Sequence, residues 1–258
     1  MSSEVLTSAK ISIVTVARNS VATIEDTILS IARQSYPHVE HILIDGASTD
    51  GSLGIVNRHL NKFSKTVSEP DMGIYDAMNK GIRLATGDVV GFLNADDVYS
   101  DANVLGEIAA IFNDATVSAC YGDLVYMDES LTRVVRYWKS SPYRDGLFEM
   151  GWMPAHPTFF VRRAVFERYG NFDLAFRLQS DFDLTMRFLS ICKIHSVYLP
   201  RVLVKMRVGG ATNRSVANVI KGNIESYQIC KKNGLTVGQI IRRPIDSLAD
   251  YHLNKVFS

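Results

Sequence analysis

The sequence predicts an α/β protein built on a mainly parallel sheet, and three observations carry that expectation. Short runs rich in β-branched residues, ISIVTVA (11–17), HILI (41–44) and DVVGFL (88–93), read as strands buried on both faces. Segments with apolar residues at helical spacing separate them, and such alternation implies right-handed crossovers between parallel neighbours. Finally, three strands run straight into polar clusters: TVARN, IDGASTD and FLNADD. Ligands of open α/β sheets collect at the carboxyl ends of the strands, so all three clusters are expected on one edge.

The elements follow in order. After the first strand, Asn19 or Ser20 offers a helix cap, and Ile24, Ile28 and Ile31 recur at helical spacing, with Pro37 just beyond. HILI is the second strand, broken by DGASTDG, and Leu53, Val56 and Leu60 mark a second helix. KTVSE is a short, weaker strand, and Ile74, Met78 and Ile82 define a helix over 73–85. DVVGFL is another buried strand. Asp101 is placed to cap the helix of Leu105, Ile108, Ala109 and Phe112. Strand-like pieces SACYGDLVYM, RVVRYW and TFFVRR come next, then a short helix (163–169) and a helix from Ser180, where Ser180 and Asp183 have capping-box spacing. VYLPRVLVKMR gives further strand, and the chain after about residue 213 reads as helical, interrupted at Gly234 and Pro244.

Bulk properties narrow the function classes. Of 258 residues, 47% are apolar and 21% charged, as in ordinary water-soluble domains. Lys and Arg total 28 against 27 for Asp and Glu, a net charge of +1, so no global field favours nucleic acid as a partner. Cys120, Cys192 and Cys230 are far apart and lack CxxC spacing, which fits buried hydrophobes in a reducing cytoplasm rather than a disulfide frame or zinc knuckle. MSSEVLTSAK lacks the apolar core of a secretory signal, and no run reaches the roughly 20 apolar residues of a membrane span.

The pair Asp96–Asp97 ends a strand built for the core. Adjacent carboxylates can cap a helix, pair with basic residues or hold a hard divalent cation. Asp101 is the better cap for the following helix, and Mg²⁺ characteristically takes one or two protein carboxylates with phosphates and water completing its shell. Two acids at the mouth of an α/β sheet therefore suit a metal–diphosphate complex.

Read in order, TVARN, LIDGASTDGS, EPDMGIYDAMNKGIRLATGD, GFLNADD, HPTFFVRRAVFERYGNFD and SDFDLTMRF resemble the large family 2 of inverting glycosyltransferases, which have the GT-A fold. The resemblance runs from about residue 10 to about residue 210; GIYDAMNKG with a following ATGD is its most characteristic part. It implies a domain over 1–210, with 1–100 as the nucleotide-sugar half and 101–210 as the acceptor half, followed by a helical extension over 211–258.

The resemblance also implies roles. Thr15, Ala17, Arg18 and Asp45 would hold the nucleoside, Asp45 by accepting from a base N–H; where the family commonly carries a second acid, this chain has Gly46. Asp71 and Gly73 would form a loop whose N–H groups approach the donor, with Asn79 and Lys80 as further contacts. NADD matches the metal motif Asp-x-Asp with Asn94 in place of the first acid; Asn94 and Ala95 would border the donor, Asp96 would bind Mg²⁺ or Mn²⁺, and Asp97 would stand beside it. Asp181 matches the catalytic carboxylate that deprotonates the acceptor hydroxyl, with Ser180 where the family usually has Glu. Trp152 and His156 would line the acceptor cleft, with core packing or a carbonyl bond as their bland alternatives. Arg207 would reach the donor diphosphate on closure of a loop hinged at Gly209 and Gly210, a plain turn being the alternative.

The activity so implied is metal-dependent, inverting transfer of a sugar from a nucleotide-diphospho sugar, UDP-linked, to a glycan or lipid-linked acceptor in surface polysaccharide synthesis. Two alternatives stand beside it. A sugar nucleotidyltransferase would need a glycine-rich loop after the first strand, and TVARNS has none. A non-catalytic scaffold would explain Gly46, Asn94 and Ser180. The basic, apolar C-terminal segments would pack on the domain, dimerise, or lie on the inner face of the cell membrane.

Overall fold

A computed structural model describes residues 8–208 and 216–235. The chain divides into two compact units. Of the described residues, the first unit holds those up to Pro142, Pro154–Phe172 and Ile194–Val208; the second holds Tyr143–Met153, Asp173–Lys193 and those from 216 onward.

The first unit carries the sheet. Strand β1 (Ile11–Ala17) is followed by helix α1 (Ile24–Ala32), β2 (Val39–Asp45), α2 (Ser52–Arg58), β3 (Lys65–Ser68), α3 (Ile74–Leu84) and β4 (Val89–Phe92). These alternate as expected, and β3-β2-β1-β4 pair in parallel. All seven residues of β1 are buried, the consequence of a central strand covered on both faces. Helix α3 reaches β1 through Gly81: a Cβ there would stand 2.2 Å from Val14 Cγ1, so only glycine lets the two backbones come this close.

The second half of the sheet is mixed. It adds β5 (Asp97–Tyr99), α4 (Val104–Ile111), β6 (Ala119–Met127), β7 (Val134–Trp138), β8 (Phe160–Arg162) and α5 (Arg163–Tyr169). In the second unit comes α6 (Ser180–Met186), then β9 (Ser196–Arg207) back in the sheet, and α7 (Val216–Lys232) in the second unit. The strand order is β3-β2-β1-β4-β8-β6-β9-β5, with β7 on β6. Strand β8 runs antiparallel to β4 and β6, while β9 runs parallel to β6 and antiparallel to β5. One buried cluster joins β1, β4 and β6 to α4 through Ile11, Val89, Leu124, Leu105 and Ile108; another joins Ile24 and Ile28 of α1 to Leu43, Ile55 and Val56.

Helix starts differ from the sequence expectation in physical detail. Helix α1 begins at Ile24, after a turn in which Ser20 O accepts from the N–H groups of Thr23 and Ile24. Asn19, with φ of 52°, instead accepts from Thr49 N–H. Asp101 accepts from Asn103 N–H at 2.8 Å and pairs with Arg201, and its side chain makes no cap on α4. No capping box forms at α6, because Ser180 is already the first helical residue and gives its hydroxyl to Asp173 O. Glu225 of α7 instead binds the chain just before α6, its Oε2 accepting from Leu178 N–H at 2.8 Å and Gln179 N–H at 3.1 Å. Lys232 of α7 pairs with Asp173 and lies 3.8 Å from Asp183 of α6, so α6 and α7 are tied within one unit. Gly209, Gly210 and the segment from 236 on lie outside the described residues.

Candidate functional site

The three polar clusters do end on one edge of the sheet. Ala17 pairs with Asp45 across β1 and β2, Gly46 N–H donates to Ala17 O, and on the other side of β1 Ala95 N–H donates to Val16 O at 3.2 Å. Register alone thus brings Asp45 and the Asn94–Asp97 loop to the carboxyl end of the central strand.

That loop is pinned from two directions. Thr27, wholly buried on α1, donates to Asp97 O at 2.7 Å and also reaches Asn94 O at 3.3 Å. Arg207, at the end of β9, donates to Asp96 O at 2.7 Å and Glu129 O at 2.9 Å while pairing with Asp26 of α1. Its guanidinium is thus engaged with the loop, and Gly209 and Gly210, the hinge on which its expected reach to a diphosphate depends, lie outside the described residues. Asp26 and Thr27 were not singled out from sequence. A signal existed for Thr27: it is the polar residue set in the apolar face of Ile24, Ile28 and Ile31.

Asp97 is fully buried and Asp96 half-buried. Burial, then the charge of Asp96, raises the Asp97 carboxyl well above the ordinary range, against the opposing pull of Arg207 and Asn94. Asp97 Oδ2 lies 3.5 Å from Asn94 Nδ2, while Asp97 Oδ1 and Asn94 Oδ1 are buried without a hydrogen-bond partner. Buried orphan oxygens beside a second acid are what a small hard cation satisfies. Among the described residues no three His, Cys, Asp or Glu side chains group to hold a metal unaided. Two carboxylates with a substrate's phosphates would be the fitting donor set for Mg²⁺ or Mn²⁺.

The nucleoside side is more self-contained than the sequence suggests. Thr15 is wholly buried and its hydroxyl bonds His41 Nε2 at 2.9 Å, so its side chain faces the core rather than a nucleoside. Burial holds the His41 ring neutral, with its pKa lowered to about 3. Asp45 is buried and accepts from Ser48 N–H and Oγ and from Ser68 Oγ. Arg18 is exposed, its Cδ 3.5 Å from where a Cβ on Gly46 would stand. Asp50 takes the turn role, accepting from Ser52 and from Val21 N–H.

Asp71 fills the space where a side chain at position 46 would go. A Cβ on Gly46 would stand 2.3 Å from Asp71 Oδ2, and Asp71 Oδ1 accepts from Gly73 N–H at 2.9 Å. Met72 N–H donates to Asp76, so neither of these N–H groups is directed to a donor here. Asn79 and Lys80 also act internally: Asn79 bonds both backbone groups of Phe172, and Lys80 holds Pro70 O and Glu69.

On the expected acceptor side, His156 is 9% exposed and packs between Phe92 and Phe172, with ring centroids 5.4 and 5.6 Å away. Its ring is thus packed among aromatic side chains of the first unit. Trp152, in the second unit, is half-buried beside Tyr143 and Phe148. Asp181, also in the second unit, is half-buried on the first turn of α6, with Phe182 N–H on its Oδ1 at 2.9 Å.

Comparison with known proteins agrees with this architecture. The model of glycosyl transferase family 2 matches residues 12–170. A PGL/p-HBAD biosynthesis glycosyltransferase of Mycobacterium bovis (strain BCG / Pasteur 1173P2) is 32% identical over 209 residues, 80% of each chain. Among solved structures, Staphylococcus aureus TarS 1-349 in complex with UDP-GlcNAc aligns with a TM-score of 0.65 at 18% identity, over 85% of this chain and 64% of that one. The mannosyltransferase PcManGT of Pyrobaculum calidifontis, in complex with GDP-Man and Mn²⁺, aligns at 0.63 and 19%, over 86% of this chain and 65% of that one. The chain thus spans slightly less than two thirds of either structure, and at these identities the likeness is one of fold, the GT-A fold. The family match and the relative settle the wider question: this chain belongs to glycosyl transferase family 2 and is a glycosyltransferase.

Proposed function

We propose that the enzyme is an inverting, metal-dependent glycosyltransferase using a nucleotide-diphospho sugar, UDP-linked, and a glycan or lipid-linked acceptor. The observation that carries this reading is the single sheet edge holding Asp45, Asp71 and the Asn94–Asp97 loop, with two buried oxygens there lacking partners. Asp96 would hold Mg²⁺ or Mn²⁺, with Asp97 behind it. The cation, when bound, neutralises charge on the departing diphosphate. Thr27 and Arg207 fix the loop that presents Asp96, so its carboxylate is oriented before the donor arrives.

Asp181 is assigned as the base. It would take the acceptor hydroxyl proton as that oxygen bonds to the anomeric carbon and the carbon–oxygen bond to the nucleoside diphosphate breaks. This reading assigns the enzyme to the cytoplasm and to surface-glycan synthesis. The structures of UDP-GlcNAc with TarS and of GDP-Man and Mn²⁺ with PcManGT support a donor of this class.

Calorimetric titration with UDP-, GDP- and dTDP-sugars tests it. A UDP-sugar is expected to bind in the presence of Mn²⁺, and chelation or Asp96→Ala to abolish that binding. Absence of binding by every donor with Mn²⁺ present would overturn the proposal.

A further inference from the structure

Helix α7 turns one face into its unit and leaves another bare. The inner face carries Gly222, Glu225, Ser226, Ile229 and Cys230, all buried. On the outer face Ile220, Ile224 and Tyr227 are 56%, 53% and 46% exposed, and Lys231 continues the line. The spacing i, i+4, i+7, i+11 stacks them along one stripe over more than two turns. Exposed Lys221 and Lys232 flank the stripe on one side. Among the described residues of α7 the single acid is Glu225, which is buried on the opposite face and held by Leu178 and Gln179 N–H. The bare face is therefore apolar along its centre and purely cationic in its charges.

We propose that this face of α7 docks on an anionic phospholipid surface, with Ile220, Ile224 and Tyr227 entering the headgroup boundary and the lysines contacting lipid phosphates. The choice of occupant rests on charge complementarity: apolar side chains flanked by lysines, with no acid of α7 on the same face, match an acidic bilayer. Lysine stems can lie along the apolar stripe while their ammonium groups reach outward. Lys232 also pairs with Asp173 at 2.7 Å, so Lys221 and Lys231 carry most of the attraction.

The test is flotation of the full-length protein with vesicles. Binding is expected to vesicles of equal parts phosphatidylglycerol and phosphatidylcholine, not to phosphatidylcholine alone, and to weaken with added salt. Lys221→Gln and Lys231→Gln are each expected to weaken binding about five-fold. Ile224→Glu places an acid in the stripe without touching the buried face and is expected to abolish binding, with the circular dichroism spectrum and melting point unchanged. Failure of the native protein to bind acidic vesicles, or undiminished binding by Ile224→Glu, would overturn the proposal. So would a concentration-dependent dimer that Ile224→Glu dissociates, since the stripe would then belong to a second copy. The assay needs no donor or turnover, so its outcome is independent of the donor-binding experiment.

Discussion

Replacing Gly46 by Ala probes the contact between the end of β2 and the loop before α3. The added Cβ would stand 2.3 Å from Asp71 Oδ2, whereas ordinary contact begins near 3.4 Å. The neighbour is the end of a side chain, so it can swing aside, but Asp71 Oδ1 is held by Gly73 N–H at 2.9 Å. Moving the carboxylate gives up that charge-assisted bond, worth about 1.5–3 kcal/mol. Gly46→Ala is therefore expected to cost about 2 kcal/mol in urea unfolding, with an unchanged slope. Asp71→Ala removes both the bond and the obstruction, so adding Gly46→Ala to it is expected to cost almost nothing further. The double-mutant cycle should return a coupling of about 2 kcal/mol. Additive costs, or a Gly46→Ala cost below about 0.5 kcal/mol, would refute the steric argument. Gly46→Asp, which restores the second acid commoner in the family, adds like-charge repulsion to the overlap and should be worse than alanine.

Asp181→Asn is expected to lower turnover by about 10²–10⁴-fold while leaving donor affinity intact, since the substitution removes the base and keeps the shape; equal turnover by the variant would remove Asp181 from the mechanism. Arg207→Gln gives up hydrogen bonds to two carbonyls and the Asp26 pair, so a loss of about 2–3 kcal/mol and weaker donor binding are expected. Arg207→Lys should recover little, because an ammonium cannot span three acceptors in a fixed fork. Glu40 gives an acid-stability test: burial alone would raise its carboxyl, but bonds from Ser12, Thr86 and Lys10 bring it from 4.5 to about 2. A folded pKa below the unfolded one stabilises above pH 4.5, and that stability is lost as pH falls toward 2. The shift corresponds to about 3 kcal/mol. Glu40→Gln should flatten the unfolding free energy over that window, as read by urea denaturation at a series of pH values.

What sequence made legible follows from what it encodes locally. Continuous apolar runs identified β1, β2 and β4, and because they pair in parallel the polar ends of all three fell on one edge. Residues at the ends of those strands, Asp45 and Asn94–Asp97, were therefore findable. Side-chain commitments set by distant segments were not. Thr15 looks available at the end of an apolar strand, but its partner His41 is fixed only by pairing of β1 with β2. His156, between prolines, reads as a loop residue until Phe92 and Phe172 close around it. The capping box at Ser180 has correct spacing, yet Ser180 gives its hydroxyl to Asp173 O, while Glu225, far along the chain, binds the N–H groups of Leu178 and Gln179 just ahead of the helix. Arg207 could be recognised as important while its partners Asp26 and Glu129 could not, since no local pattern links them.

The Arg207 guanidinium also bears on the order in which the molecule is made. It joins segments 181, 111 and 78 residues away, at Asp26, Asp96 and Glu129. Contacts of such long sequence separation form late, because much chain must first be brought together. A nascent chain still short of β9 has its first four strands available for pairing but lacks the clasp on the acidic loop. The acidic loop should therefore take its final, clasped form only after residue 207 has left the ribosome.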